Sequence, residues 1–173
     1  MKGSSVLVAG ASGGIGRAIA LELLGAGANV VLLGRDLARL RAVIPEHHLF
    51  NAEFAVADLA NLTEIERVGA ALGRRGALDA LVLSAGVYER SSDPHVLRRQ
   101  LEANVVGPYA LIQALLPMLL AARGQILFIN SSQALKAAGA VGQYAATMHA
   151  AKAIADSLRD EVNARGVRVA SLF

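Results

Sequence analysis

Two stretches of this chain carry residues suited to chemistry. Near its start, Gly10-Ala11-Ser12-Gly13-Gly14-Ile15-Gly16 sets four glycines within seven residues. Glycines at that density let the backbone turn tightly and approach a pyrophosphate, whose charge exposed N–H groups and a helix dipole would hold. Towards the other end, Tyr144 offers a phenol able to pass a proton, and Met148 follows it one helical turn on. A free tyrosine has a pKa of about 10, and an opposite charge within ~4–6 Å lowers it by ~1–3 units. Methionine brings no such charge. The nearest lysine, Lys152, lies one turn beyond Met148, about 6 Å up a helix and ~40° round it. Long helical side chains lean towards the N-terminus, so its ammonium is expected to point towards Tyr144 at marginal reach. His149 falls on a different face.

Elements that would position these groups alternate along the chain. Val6–Val8, Val30–Leu33, Phe54–Val56, Ala80–Leu83, Ile126–Ile129 and Val167–Val169 read as six strands, most of them continuously apolar, as strands covered on both faces are. Leu62, Ile65, Val68 and Leu72 recur at helical spacing behind Asn61 and Glu64, a capping-box-like start. Leu37, Leu40, Val43 and Ile44 do the same after Asp36, which reads as a helix N-cap. The alternation predicts right-handed βαβ units and an α/β fold with a doubly wound parallel sheet, helices on both faces. No linker or repeat divides the 173 residues, so one domain is expected over 1–173. Sheets of this kind commonly continue beyond a sixth strand, so a seventh is expected past Phe173.

Composition narrows the function classes. There are no cysteines, which excludes a disulfide framework, a thiolate metal site and a cysteine nucleophile; no metal is expected. Net charge is +3, and the arginines fall in small groups (Arg35, Arg39 and Arg41; Arg74 and Arg75; Arg98 and Arg99) without interleaved aromatics to stack bases, so nucleic acid is not an expected partner. The start lacks signal-peptide anatomy, and no uninterrupted apolar run reaches the ~18 residues of a membrane helix; Ala114–Ala122, the nearest, contains Pro117. A cytoplasmic protein that neither enters nor crosses a membrane is the expectation.

The glycine spacing Gly-x-x-x-Gly-x-Gly between a strand and a helix, taken with the later motifs, resembles the short-chain dehydrogenase/reductase family over essentially the whole chain. That resemblance implies a Rossmann-type domain binding NAD(P), with Gly10, Ser12, Gly13, Gly14, Ile15 and Gly16 around the pyrophosphate. Val56-Ala57-Asp58-Leu59 matches the segment after the third strand, where Asp58 would meet the adenine amino group beside Leu59. Leu83-Ser84-Ala85-Gly86 matches the Asn-Asn-Ala-Gly turn with both asparagines replaced, keeping Ala85 and Gly86 at the cofactor. An NAD-preferring site places an acid at the end of the second strand for the ribose 2′-hydroxyl. Here Gly34 is followed by Arg35, whose guanidinium suits a 2′-phosphate, so NADP(H) is favoured over NAD(H).

The same resemblance assigns Ser131, thirteen residues before Tyr144, to the substrate carbonyl, with Ser132 one residue away. It assigns Asn104 to a water in the proton relay and Tyr144 to the general acid/base, also in contact with cofactor. The family lysine would stand at 148, lowering the Tyr144 pKa and holding the nicotinamide ribose. Met148 does neither; it also fits an apolar stripe with Tyr144, Ala151, Ala155 and Leu158. Two functions are therefore carried forward: an NADP-preferring oxidoreductase interconverting a small-molecule carbonyl and alcohol with impaired catalysis, or a catalytically silent dinucleotide-binding sensor or subunit. The helices from about 94 to 122 and 142 to 164 resemble the family's dimer-forming pair, implying a homodimer or homotetramer.

Overall fold

The computed structural model describes residues 1–74 and 76–173; Arg75, named above with Arg74, lies outside them. Six strands form one parallel sheet: β1 (Ser5–Ala9), β2 (Asn29–Gly34), β3 (Ala52–Val56), β4 (Ala80–Leu83), β5 (Gln125–Ile129) and β6 (Arg168–Leu172). Their order across the sheet is β3-β2-β1-β4-β5-β6. Each strand overlaps its predicted run; β6 begins one residue later than expected and extends further, to Leu172.

Alternation explains why the strands read as solid apolar runs. Leu7, Ala9, Val31, Leu33, Leu81 and Leu83 face one core, built with α3 (Leu62–Gly73), α5 (Gly107–Ala122) and α6 (Gly142–Val162). Val6, Val8, Val30, Leu32, Ala80 and Val82 face the other, under α1 (Gly14–Gly25) and α2 (Leu37–Ala42). With both faces buried, no position along a central strand is left for a polar side chain.

Local chemistry sets the helix starts. Asp36 caps α2, its Oδ1 accepting from the Ala38 and Arg39 N–H groups at 2.8 and 3.2 Å. Asn61 caps α3 by accepting from Glu64 N–H. Glu64 does not close an ordinary capping box; its Oε2 reaches back past the cap to the Asp58 N–H at 2.8 Å. Asp93 caps α4 (Pro94–Leu101), with proline in the first turn, where a missing N–H costs nothing.

The predicted helix over 94–122 is continuous but not uniform. Between α4 and α5 one wide turn, Glu102–Val106, has π geometry. By length and composition the 29-residue run would suffice to cross a membrane, with a mean hydropathy of 1.8 over its most apolar window. In this fold Leu111, Ile112, Leu115 and Leu119 put that apolarity into the core against α3 and β4.

Candidate active site

Strand order reverses between β2-β1 on one side and β4 on the other, and a cleft of about 290 Å³ opens at the carboxyl ends of these strands. Such a switch point is where open α/β sheets leave room for a ligand. Of the predicted cofactor residues, Gly10, Ser12, Gly13, Arg35, Asp58, Leu59, Ala85 and Gly86 line it. Gly14, Ile15 and Gly16 form the first turn of α1 beside it, with Ile15 exposed and Gly16 buried.

Two glycines in the loop are fixed by close approach. Gly10 has φ +81°, and a Cβ on it would stand 2.6 Å from the Ala85 nitrogen. A Cβ on Gly16 would stand 2.3 Å from the Gly10 carbonyl oxygen and 2.5 Å from Ser84 Oγ. The loop is thus pressed against the β4 turn. Ser84 completes that contact, donating from Oγ to the Ala9 carbonyl at 2.6 Å, so a hydroxyl tethers the turn to β1 where the family pattern has asparagine. No side chain caps the N-terminus of α1, which begins after Gly13. Its first-turn N–H groups suit a pyrophosphate, and the cradle fits a dinucleotide.

At the far end of the cleft, Arg35 is joined by Arg39. In sequence Arg39 is one of a small group of arginines; it stands inside α2, whereas Arg35 precedes the Asp36 cap, so no helical spacing pairs the two. Gly34 sits against Leu40, whose Cδ2 would lie 3.1 Å from an added Cβ, so an acidic side chain there would crowd the core. Asp58 Oδ1 accepts from the Ala60 N–H, which holds the carboxylate at the cleft wall.

Ala103 and Val87 close the opposite end of the cleft and lead to the tyrosine. Asn104, in the wide turn and 5% exposed, accepts at Oδ1 from Val87 N–H at 2.6 Å and donates from Nδ2 to Val87 O at 2.8 Å. Its Nδ2 also donates to Thr147 Oγ1 at 3.0 Å, and that hydroxyl donates to the Tyr144 carbonyl at 2.8 Å. Both amide hydrogens of Asn104 are therefore used in fastening Tyr144's helix to the β4 loop. Tyr144 itself is half-buried, its ring meeting that of Tyr88 edge to face at 4.9 Å.

Ser131 follows β5 and is half-buried, whereas Ser132 is exposed. Ser131 Oγ accepts from the Gln133 N–H at 3.2 Å. Asn130, which sequence reasoning passed over, accepts from Ser131 N–H and donates from Nδ2 to the Met148 carbonyl at 3.3 Å. The serine is in this way tied to the turn of α6 that carries Met148, which is 7% exposed. Lys152 does not lean back towards Tyr144. Its Nζ donates to Asp156 Oδ2 at 2.5 Å, one turn the other way. Asp156 also accepts from Arg159 at 2.9 Å; hydrogen bonds from Lys152 and then Arg159 hold its carboxyl below the usual range. His149 bonds the Ala145 carbonyl on its own helix.

Known proteins share this sequence pattern and fold. Residues 4–173 match the family model for short chain dehydrogenase. The chain is 36% identical to dehydrogenase/reductase SDR family member 7B of Danio rerio, covering 96% of this chain and 59% of that protein. It is 35% identical to L-fucose dehydrogenase of Mus musculus, covering 96% and 63% respectively. It thus spans about six tenths of the length of these relatives. Among solved structures, a short-chain dehydrogenase from Streptomyces avermitilis superposes with a TM-score of 0.93 at 30% identity, over 99% of this chain and 65% of that one. One from Burkholderia cenocepacia in complex with NADP gives 0.88 at 26% identity, over 98% and 71%.

Proposed function

The chain belongs to the short-chain dehydrogenase family, and from that premise we propose that it is an NADP(H)-binding oxidoreductase interconverting a small-molecule carbonyl and alcohol, with its proton step weakened by Met148. When bound, the nicotinamide supplies or accepts hydride; the protein's own residues must hold the substrate oxygen and move its proton. Ser131 Oγ would donate to that oxygen and Tyr144 would exchange the proton with it. Asn104, through Thr147, sets the height of Tyr144 beside the cleft. The observation that carries the reading is this fastening of Tyr144 to the same loop, Val87, that ends the glycine-lined cleft.

Preference for NADP(H) rests on Arg35 and Arg39 at the Gly34 end of the cleft, where a 2′-phosphate would meet two guanidinium groups and no acid at 34. A silent cofactor-binding role is the second reading, supported by Met148 in the lysine place and by Lys152 being held on Asp156. The proposed setting is a cytoplasmic homodimer or homotetramer.

Binding and turnover measured together test both readings. NADPH is expected to bind more than tenfold tighter than NADH, since charge-assisted pairs to a phosphate are worth ~1.5–3 kcal/mol. Carbonyl reduction is expected to be slow in the parent and to rise roughly 10²-fold in Met148→Lys, as a properly tuned acid/base contributes ~10²–10⁴-fold. Fast turnover by the parent would remove the impairment, and binding without turnover even in the variant would leave only the silent binder.

A further inference from the structure

Beyond the end of the cofactor cleft, the loop after β4 is held in an unusual way. Gln100 is fully buried, and its carboxamide pairs in both directions with Glu89, accepting from its N–H at 3.3 Å and donating to its carbonyl at 3.2 Å. Asn104, one turn on, does the same with Val87. Two side-chain amides four residues apart on a helix thus make two rungs to backbone residues two apart. Tyr88 lies between the rungs with its ring against Tyr144. The backbone on each side of Tyr88 is thus fixed by two hydrogen bonds, which supports its position beside Tyr144.

Tyr88 in turn holds a charge. Arg90 Nε donates to Tyr88 Oη at 2.7 Å. The neighbouring acid, Glu89, is already engaged by Arg99 at 3.1 Å. Asp93, the next acid along, caps α4 through His95 N–H. Among the described residues Arg90 pairs with no carboxylate, and it is exposed on the hydroxyl of the tyrosine whose ring meets Tyr144. A guanidinium with its fork unspent is suited to a carboxylate.

We propose that Tyr88 and Arg90 form the anion-recognising wall of the substrate site, selecting carbonyl and alcohol compounds that carry a carboxylate. This rests on the oxidoreductase reading for the identity of the reacting group, but anion recognition itself is measurable without turnover. Tyr88 packs its ring on Tyr144 and its hydroxyl on Arg90, so the acid/base and the anion anchor are joined through one side chain. Substrate length between carbonyl and carboxylate is set by that side chain.

The probes are 4-formylbenzoate and its methyl ester, which share a skeleton and an aldehyde and differ in charge. Calorimetric titration is done on the cofactor-free protein and with saturating NADP⁺, where no hydride is available. The parent is expected to bind the carboxylate about tenfold tighter than the ester, and Arg90→Gln to abolish that preference. Tyr88→Phe, which keeps the ring contact but releases the guanidinium, is expected to reduce it about threefold. Lys2→Gln, which makes the same charge change near the amino ends of the strands, is expected to retain it. Equal affinity for the two probes, no binding of either, a preference surviving Arg90→Gln, or a loss matched by Lys2→Gln would each overturn the proposal. Failure of NADP⁺ to bind would instead overturn the cofactor reading, while the cofactor-free titration still reports on Arg90.

Discussion

In the proposed mechanism a lysine at 148 would serve Tyr144, yet the surroundings there suit methionine: the Met148 side chain is nearly buried and its carbonyl is taken by Asn130. The only nearby lysine on the same helix, Lys152, is committed to Asp156. Sequence spacing alone had it leaning towards the N-terminus, but a carboxylate one turn on outweighs a rotamer preference, because an i,i+4 ion pair is available at no backbone cost. Lys152→Ala is therefore expected to leave turnover within about twofold, a shift far short of the ~10²–10⁴ of a lost acid/base group. Asp156→Asn should lower stability at neutral pH by less than ~1 kcal/mol, since the carboxylate is 42% exposed and solvent screens the pair. The folded state lowers this pKa from 3.8, so its contribution is present above that value and fades as pH falls through the lowered one. Urea melts of parent and variant should differ at pH 7 and converge in acid; a gap that persists in acid would place the effect elsewhere. That Asp58 and Arg35 line the cleft was legible because their neighbours in sequence form motifs. Asn130 and Tyr88 were not, because each meets a partner, Met148 and Tyr144, brought close only by folding.

The helices show the same division. The helix from about 94 to 122 is expected from the family resemblance alone, and the fold has a continuous helical run there. The wide turn at Glu102–Val106 is no part of that expectation, yet it lies between the helices that carry Gln100 and Gly107 and contains Asn104. A π turn adds one residue to a helical turn and so re-aims the side chains of the next turns, which is why such turns recur at functional sites. Gln100 lacked a signal for a further reason: a glutamine on a helix reads as solvated until its backbone partner, Glu89, is known. Replacing it with leucine would leave the N–H and C=O of Glu89 without their partner, at ~1–3 kcal/mol each when buried. Gln100→Leu is expected to destabilise the domain by ~1–4 kcal/mol in denaturant unfolding, and to weaken the Tyr88–Tyr144 contact. Loss of stability below ~0.5 kcal/mol would mean that water replaces the amide and that the rung does not hold the loop.

Across the whole molecule, the two cores are unequal, with the larger one under α3, α5 and α6. The sheet has no polar face of its own, so solubility depends on the outer surfaces of the helices. On α5 that outer surface is only weakly polar: Val106 at the preceding turn and Tyr109 are 45% and 47% exposed, followed along the same stripe by Gln113 and Pro117. A stripe of that composition on a helix beside the tyrosine site is what a twofold interface would cover, and a symmetric dimer through α5 is the expected assembly. Burying Val106 and Tyr109 at a dimer seam makes charge there costly, so Val106→Glu with Tyr109→Glu should shift a micromolar dimer to monomer in sedimentation velocity. Since both are exposed in the single chain, the pair should lower melting only where the parent is dimeric, and the gap should close on dilution into the monomer range. A parent that sediments as monomer at tens of micromolar would end the proposal; a double variant that stays dimeric would move the interface to another face. Because Asn104 sits in the turn leading into α5, such a dimer would also stiffen the element that fastens Tyr144. NADPH affinity and turnover in the monomeric variant, measured beside its melting, would separate that stiffening from simple loss of fold.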